Sequence, residues 1–168
     1  MITSTLKRLA WALLLLAIQV LILDQVHPWG YGAPLICSLI VITLPLGTSR
    51  SEALLWGFGV GFIADIFAGT SGISSAALTF IAFIQPPLLE LMAPRDSEEE
   101  LHPSFSAMGR WNYLQFIALL LLLHHIIHFA LEGFSYFHLT DIAISMTVSY
   151  VASILLILLV EHVRNPKN

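Results

Sequence analysis

Apolar residues fall in six long runs, and short polar breaks separate them. The runs cover residues 9–23, 33–47, 53–68, 73–93, 113–131 and 139–160. A bilayer core of about 30 Å calls for about 20 mostly apolar residues per helix, so the pattern predicts six membrane spans, some of them short. The second run contains Pro45, and the fourth is interrupted by Pro86 and Pro87. Proline removes a helix hydrogen bond, so bends are expected at both places, with the last turns of the fourth run at the interface. The first run follows Lys7 and Arg8 like a signal peptide, but no small-x-small cleavage site follows it, so it is read as a retained span.

Composition strengthens this reading. Of 168 residues, 57% are hydrophobic and 11% charged. A soluble domain carries about 25% charged residues, so a soluble enzyme, a disordered chain and a disulfide scaffold are all excluded as classes. The expected fold is an all-α polytopic membrane protein, with residues 1–168 forming one integral membrane domain. The single cysteine, Cys37, lies inside an apolar run.

The basic residues set the direction. With six spans and an internal N-terminus, Lys7, Arg8, Arg50, Arg95, Arg110, Arg164 and Lys167 all fall on the cytoplasmic side; these are all 7 of the Lys and Arg residues. The opposite loops, residues 24–32, 69–72 and 132–138, contain none. The topology predicted is therefore N-in and C-in. Trp11, Trp111 and Tyr113 near the inner boundary, and Trp29, Tyr31 and Tyr136 near the outer one, fit interfacial belts. The net charge of −4 gives no electrostatic case for nucleic-acid binding.

Two segments inside the spans carry polar chemistry. Gly57, Gly61, Asp65 and Gly69 recur every four residues and form one stripe on the third helix. Small residues at this spacing let two backbones approach closely in lipid, so helix packing is the leading reading of the glycines. Asp65 costs a few kcal/mol in a span unless it is paired, hydrated or neutral. It is expected to tie the third helix to the turn that begins the fourth, with a polar cavity or a partner contact as the alternative. In the fifth run, His124, His128 and Glu132 share one face. Two imidazoles and a carboxylate suit zinc or iron. Membrane metalloenzymes need several such boxes, however, and here there is one. A polar seam facing the bundle or a partner is the preferred reading, with no metal and no cofactor. Asp24, Glu132 and Asp141 toward the outer face, and Glu52, Glu90 and Glu161 toward the inner one, read as helix-end carboxylates. No Gly-x-Ser-x-Gly elbow and no phosphate loop occurs, which argues against an enzyme.

The stretch Gly57-Phe58-x-x-Gly61-Phe-x-x-Asp65-x-Phe-x-Gly69-Thr-x-Gly72 resembles the signature region of the rod shape-determining MreD family. Length, the short basic N-terminus and hydropathy are similar as well. The resemblance implies a fold like that of the six-helix substrate-binding subunits of energy-coupling-factor transporters. It also implies a non-enzymatic bacterial inner-membrane subunit that scaffolds or regulates lateral peptidoglycan synthesis and cell shape. The partners implied are MreC, a single-span periplasmic protein, together with MreB, RodA and a class B penicillin-binding transpeptidase. By the resemblance, Gly57, Phe58, Gly61, Asp65, Gly69 and Gly72 serve packing and partner contact. The acidic Ser97–Glu100 stretch and the histidine cluster lie outside the family pattern. The loop 94–112 is the one inner surface long enough to reach a cytoskeletal protein. A small-molecule transporter or its six-helix substrate-binding subunit is the alternative function.

Overall fold

The structure is a computed structural model. It describes residues 2–25, 32–70, 72–94, 101–133 and 139–164. The outer aromatics Trp29, Tyr31 and Tyr136, and the acidic Ser97–Glu100 stretch, lie outside the described residues. The elements are α1 (Ile2–Leu21), a 3₁₀ turn (Leu23–Gln25), α2 (Ser38–Ile42), α3 (Arg50–Ala68), α4 (Ile73–Met92), α5 (Phe105–Met108), α6 (Arg110–Gly133) and α7 (Leu139–Arg164), with no strand among the described residues. Five stretches, Arg8–Gln25, Arg50–Ala68, Ile73–Met92, Arg110–Gly133 and Thr140–Glu161, are long and apolar enough to cross a membrane.

The second apolar run forms no such helix. Residues 33–47 are irregular apart from the five residues of α2. Pro34 and Pro45 bracket a stretch too short to sustain a full span, and proline at both ends removes donors a helix needs. This segment is nevertheless deeply enclosed: Leu39, Val41 and Ile42 have no accessible surface, and α2 touches α1, α3, α4 and α6. Irregular backbone at membrane depth is tolerated where protein buries it and supplies its hydrogen bonds.

Those bonds come from buried polar side chains on the surrounding helices. Gln19 of α1 donates from Nε2 to Pro34 O at 2.9 Å and accepts from Ile36 N at Oε1 at 2.8 Å. Ser153 of α7 accepts from Leu35 N at 2.8 Å, and Ser149 donates to Ala33 O. At the far end, Gln85 of α4 donates to Leu44 O at 2.9 Å, and Leu46 N donates to Leu101 O at 2.8 Å.

The remaining helices form around this irregular segment. Ser49 caps α3 by accepting from Glu52 N at 3.2 Å, and Arg8 of α1 meets Glu52 at 3.6 Å. The N-termini of α1 and α3 therefore lie together, and the chain runs back between them through residues 32–47. Along α7, Ser145, Ser149, Ser153, Ile157 and Glu161 recur every four residues; Ser149, Ser153, Ile157 and Glu161 are fully buried.

Three local expectations change. α4 runs unbroken through Pro86 and Pro87 to Met92, with Leu89 fully buried. Packing of that face against the bundle outweighs the hydrogen bonds that the two prolines remove. Tyr113 is enclosed by protein: it is buried edge-on to Phe105, at 5.0 Å between ring centroids, where α5 folds back over it. Glu161 is buried within α7, which continues to Arg164, and is not an open helix-end carboxylate.

Candidate functional site

The α3–α4 hairpin contains every residue of the glycine–aspartate motif. A Cβ on Gly57 would lie 2.6 Å from Leu78 O, and one on Gly61 would lie 2.5 Å from Ser75 Cα. Both positions are thus in backbone-to-backbone contact with α4, and nothing larger than hydrogen fits. Asp65 follows one turn later and is buried. Its Oδ1 accepts from Thr70 Oγ1 at 2.5 Å and from Ser74 N at 2.8 Å. Its Oδ2 accepts from Ser75 N at 2.8 Å and from Ser75 Oγ at 2.6 Å. The N-cap of α4 is Gly72, which has no side chain to do this work, so a carboxylate from the preceding helix serves the orphan N–H groups. Asp65 backbone O also accepts from the N–H groups of Gly69 and Thr70, closing α3. Gly69 at φ +68° and Gly72 at φ +85° give the turn the left-handed backbone it requires.

The opposite side of α3 faces out of the bundle. Phe58 and Phe62 stack at 5.8 Å and are 53% and 51% exposed, with Leu55 and Ile66 on the same side. Phe58 is therefore separated from the glycines next to it: they are consumed by α4, and it is presented outward.

The histidines divide in a way that spacing did not reveal. His125, one residue off the expected face, makes the hydrogen bonds. Its Nδ1 lies 2.8 Å from Leu121 O, and its Nε2 lies 3.2 Å from Ser153 Oγ. A carbonyl only accepts, so Nδ1 carries the proton toward Leu121 O, while the one proton of the Ser153 hydroxyl is shared between His125 Nε2 and the nearer Ser149 O at 2.7 Å. His125 also packs edge-on to Tyr150 at 5.6 Å. His124 is buried with neither ring nitrogen partnered among the described residues, and its ring lies 5.9 Å from that of His128. Among the described residues, no group of three His, Cys, Asp or Glu side chains is placed to hold a metal ion.

A cavity of about 570 Å³ opens at the end of the bundle opposite the Arg8–Glu52 pair. Asp24, His128, Glu132 and Asp141 line it, and Thr70 and Ser74 of the Asp65 turn form part of one wall. His128 and Glu132 thus share a cavity, whereas Asp65 stands behind its wall and His124 one turn deeper in α6. Asp24 is held there by Gln19 Nε2 at 2.6 Å. Gln19 and Gln85, with Ser149 and Ser153, are buried groups that the sequence pattern did not single out. The available signal was a lone amide inside each apolar run.

No protein-family model, curated protein or solved structure matches the chain.

Proposed function

We propose that the protein is a non-catalytic membrane scaffold of the MreD type. In this reading it is a subunit of the bacterial elongation machinery that couples lateral peptidoglycan synthesis to its partners in the inner membrane. The observation that supports it is the division of labour on α3. The motif carrying the resemblance is spent on a rigid hairpin with α4, and the other face of the same helix presents Phe58 and Phe62 outward. A rigid helix with an aromatic ridge suits docking of a partner span, as in an MreC-like protein. Partner contact is assigned to this ridge and not to the glycine stripe. In the same reading the irregular segment 32–47 is a sixth crossing, and both termini are cytoplasmic.

Affinity purification from bacterial membranes in mild detergent, with mass spectrometry of retained proteins, tests the proposal. A single-span periplasmic protein, with RodA and a class B transpeptidase, is expected to copurify, and Phe58→Ala with Phe62→Ala is expected to release it. Recovery of the folded protein without any of these partners would refute the scaffold.

The outer cavity favours a second reading: a small-molecule-binding membrane subunit of similar crossing number. Saturable binding of a small solute to the purified protein supports that reading.

A further inference from the structure

A second, smaller cavity of about 210 Å³ lies between α1 and α3, at the end of the bundle that carries the Arg8–Glu52 pair. Arg8 and Trp11 line it from α1, Trp56 from α3, Ile40 from the irregular segment and His102 from the chain before α5. Helical spacing builds two of its walls. Trp11 is three residues beyond Arg8 and Trp56 is four beyond Glu52, so each tryptophan follows a charged residue by one turn on the same face. The bond from Leu46 N to Leu101 O at 2.8 Å pins the stretch carrying His102 beside the irregular segment.

We propose that this slot holds the headgroup of a phospholipid that carries a phosphate diester and a primary ammonium group. The inference goes beyond both readings of function and rests only on the helices being membrane spans.

Location carries the first part of the argument. Arg8 and Arg50 open two of the stretches long and apolar enough to cross a membrane, Arg8–Gln25 and Arg50–Ala68. The slot between them lies where apolar chain gives way to charge, which is the level of lipid headgroups and of interfacial tryptophans. Leu9 and Leu55, next in sequence to Arg8 and Trp56, are exposed and offer acyl chains an apolar surface.

Charge complementarity carries the second part. Among the described residues the Arg8 guanidinium has one polar partner, Glu52 Oε1, at 3.6 Å, which is beyond hydrogen-bond distance. Both side chains are partly exposed, and such a pair holds its members weakly. Arg8 therefore keeps its donors for a phosphate, whose oxygens match the guanidinium fork. Glu52 keeps its acceptors for an ammonium group. The pair is a dipole, and the ligand that complements both ends is itself dipolar. A phosphate alone meets the Glu52 charge, and an ammonium alone meets Arg8. A choline headgroup has both charges, but its nitrogen has no N–H to donate to Glu52.

The test titrates the delipidated full chain in detergent with phosphatidylethanolamine, phosphatidylglycerol and phosphatidylcholine of identical acyl chains, read by native mass spectrometry. Phosphatidylethanolamine is expected to bind at least fivefold tighter than the other two. Arg8→Gln is expected to weaken it at least fivefold, and Glu52→Gln to remove its advantage over phosphatidylcholine, each with the melting temperature in the absence of lipid unchanged. The exchange of Arg8→Glu with Glu52→Arg keeps an ion pair but takes the guanidinium off α1. It is the second variant should the single ones not fold, and undiminished binding by it overturns the site. Equal or tighter binding of phosphatidylglycerol or phosphatidylcholine overturns the headgroup assignment. Displacement of the bound lipid by equimolar soluble phosphoethanolamine overturns the lipid as its source. No saturable binding of any of the three lipids to the folded protein overturns the site and leaves both readings of function standing.

Discussion

Asp65 accepts a backbone hydrogen bond from Ser75 at 2.8 Å, and the hydroxyl of the same serine donates to it at 2.6 Å. The carboxylate of one helix therefore supplies the capping bonds of the next, whose own N-cap residue, Gly72, has no side chain. Asp65→Ala removes all four side-chain bonds and leaves the Ser74 and Ser75 N–H groups in a buried site. The expected loss is about 2–4 kcal/mol, read as a lower melting temperature in detergent. Asp65→Asn retains one acceptor oxygen and is expected to lose less. An unchanged melting temperature for Asp65→Ala would show that the cap adds nothing.

The glycines of α3 are expected to differ sharply. Gly61→Ala places a methyl 2.5 Å from Ser75 Cα, and Gly57→Ala places one 2.6 Å from Leu78 O. Both variants force the hairpin apart, at about 1–3 kcal/mol each. Gly59→Ala meets nothing within 4 Å. It is expected to be neutral or to stabilise by about 0.5–1 kcal/mol, since alanine is the better helix former. Folded yield and thermal stability of the three variants check this, and equal behaviour of all three would contradict close α3–α4 contact.

Neighbouring histidines are expected to respond in opposite directions. His125→Leu breaks the link from Leu121 to Ser153 and costs about 1–2 kcal/mol. His124→Leu replaces a buried ring whose nitrogens have no partner among the described residues, and it is expected to be neutral or stabilising. Unfolding of both variants by denaturing detergent distinguishes them, and a larger loss for His124→Leu would refute the assignment.

Gln19→Leu strips the irregular segment of two backbone partners and frees Asp24. The expected cost is about 2 kcal/mol. Cys37 is next to Ile36, whose N–H Gln19 accepts, and is 2% exposed. A membrane-permeant maleimide is therefore expected to label Cys37 slowly in the parent and several-fold faster in Gln19→Leu. Equal labelling rates would show that Gln19 does not hold the segment closed.

What was legible in the sequence was what depends on near neighbours. Gly57, Gly61 and Asp65 are spaced for one helical face, and their partners Thr70, Ser74 and Ser75 follow within a few residues. The hairpin could therefore be anticipated down to the role of the aspartate. Residues 33–47 were readable as short and bent, but not as irregular for most of their length. Their hydrogen bonds come from Gln19, Gln85, Ser149 and Ser153, and nothing local announces that those four converge. Pro86 and Pro87 misled for the same reason: a helix interrupted on paper is kept continuous by packing on Leu89 and its neighbours. Among the histidines, periodicity picked the face of His124 and His128. The bonded ring was His125, and only the position of Ser153 distinguishes it.

The irregular segment also has a consequence for how the chain reaches its final form. Residues 33–36 take their hydrogen bonds from Gln19, made before them, and from Ser149 and Ser153, made more than a hundred residues later. Until α7 is synthesised, Ala33 and Leu35 lack those partners, although α1, α3, α4 and α6 can already enclose α2. The start of the segment is therefore completed only when α7 packs, and a chain truncated before Ser149 is left with the Leu35 N–H and the Ala33 carbonyl without these partners.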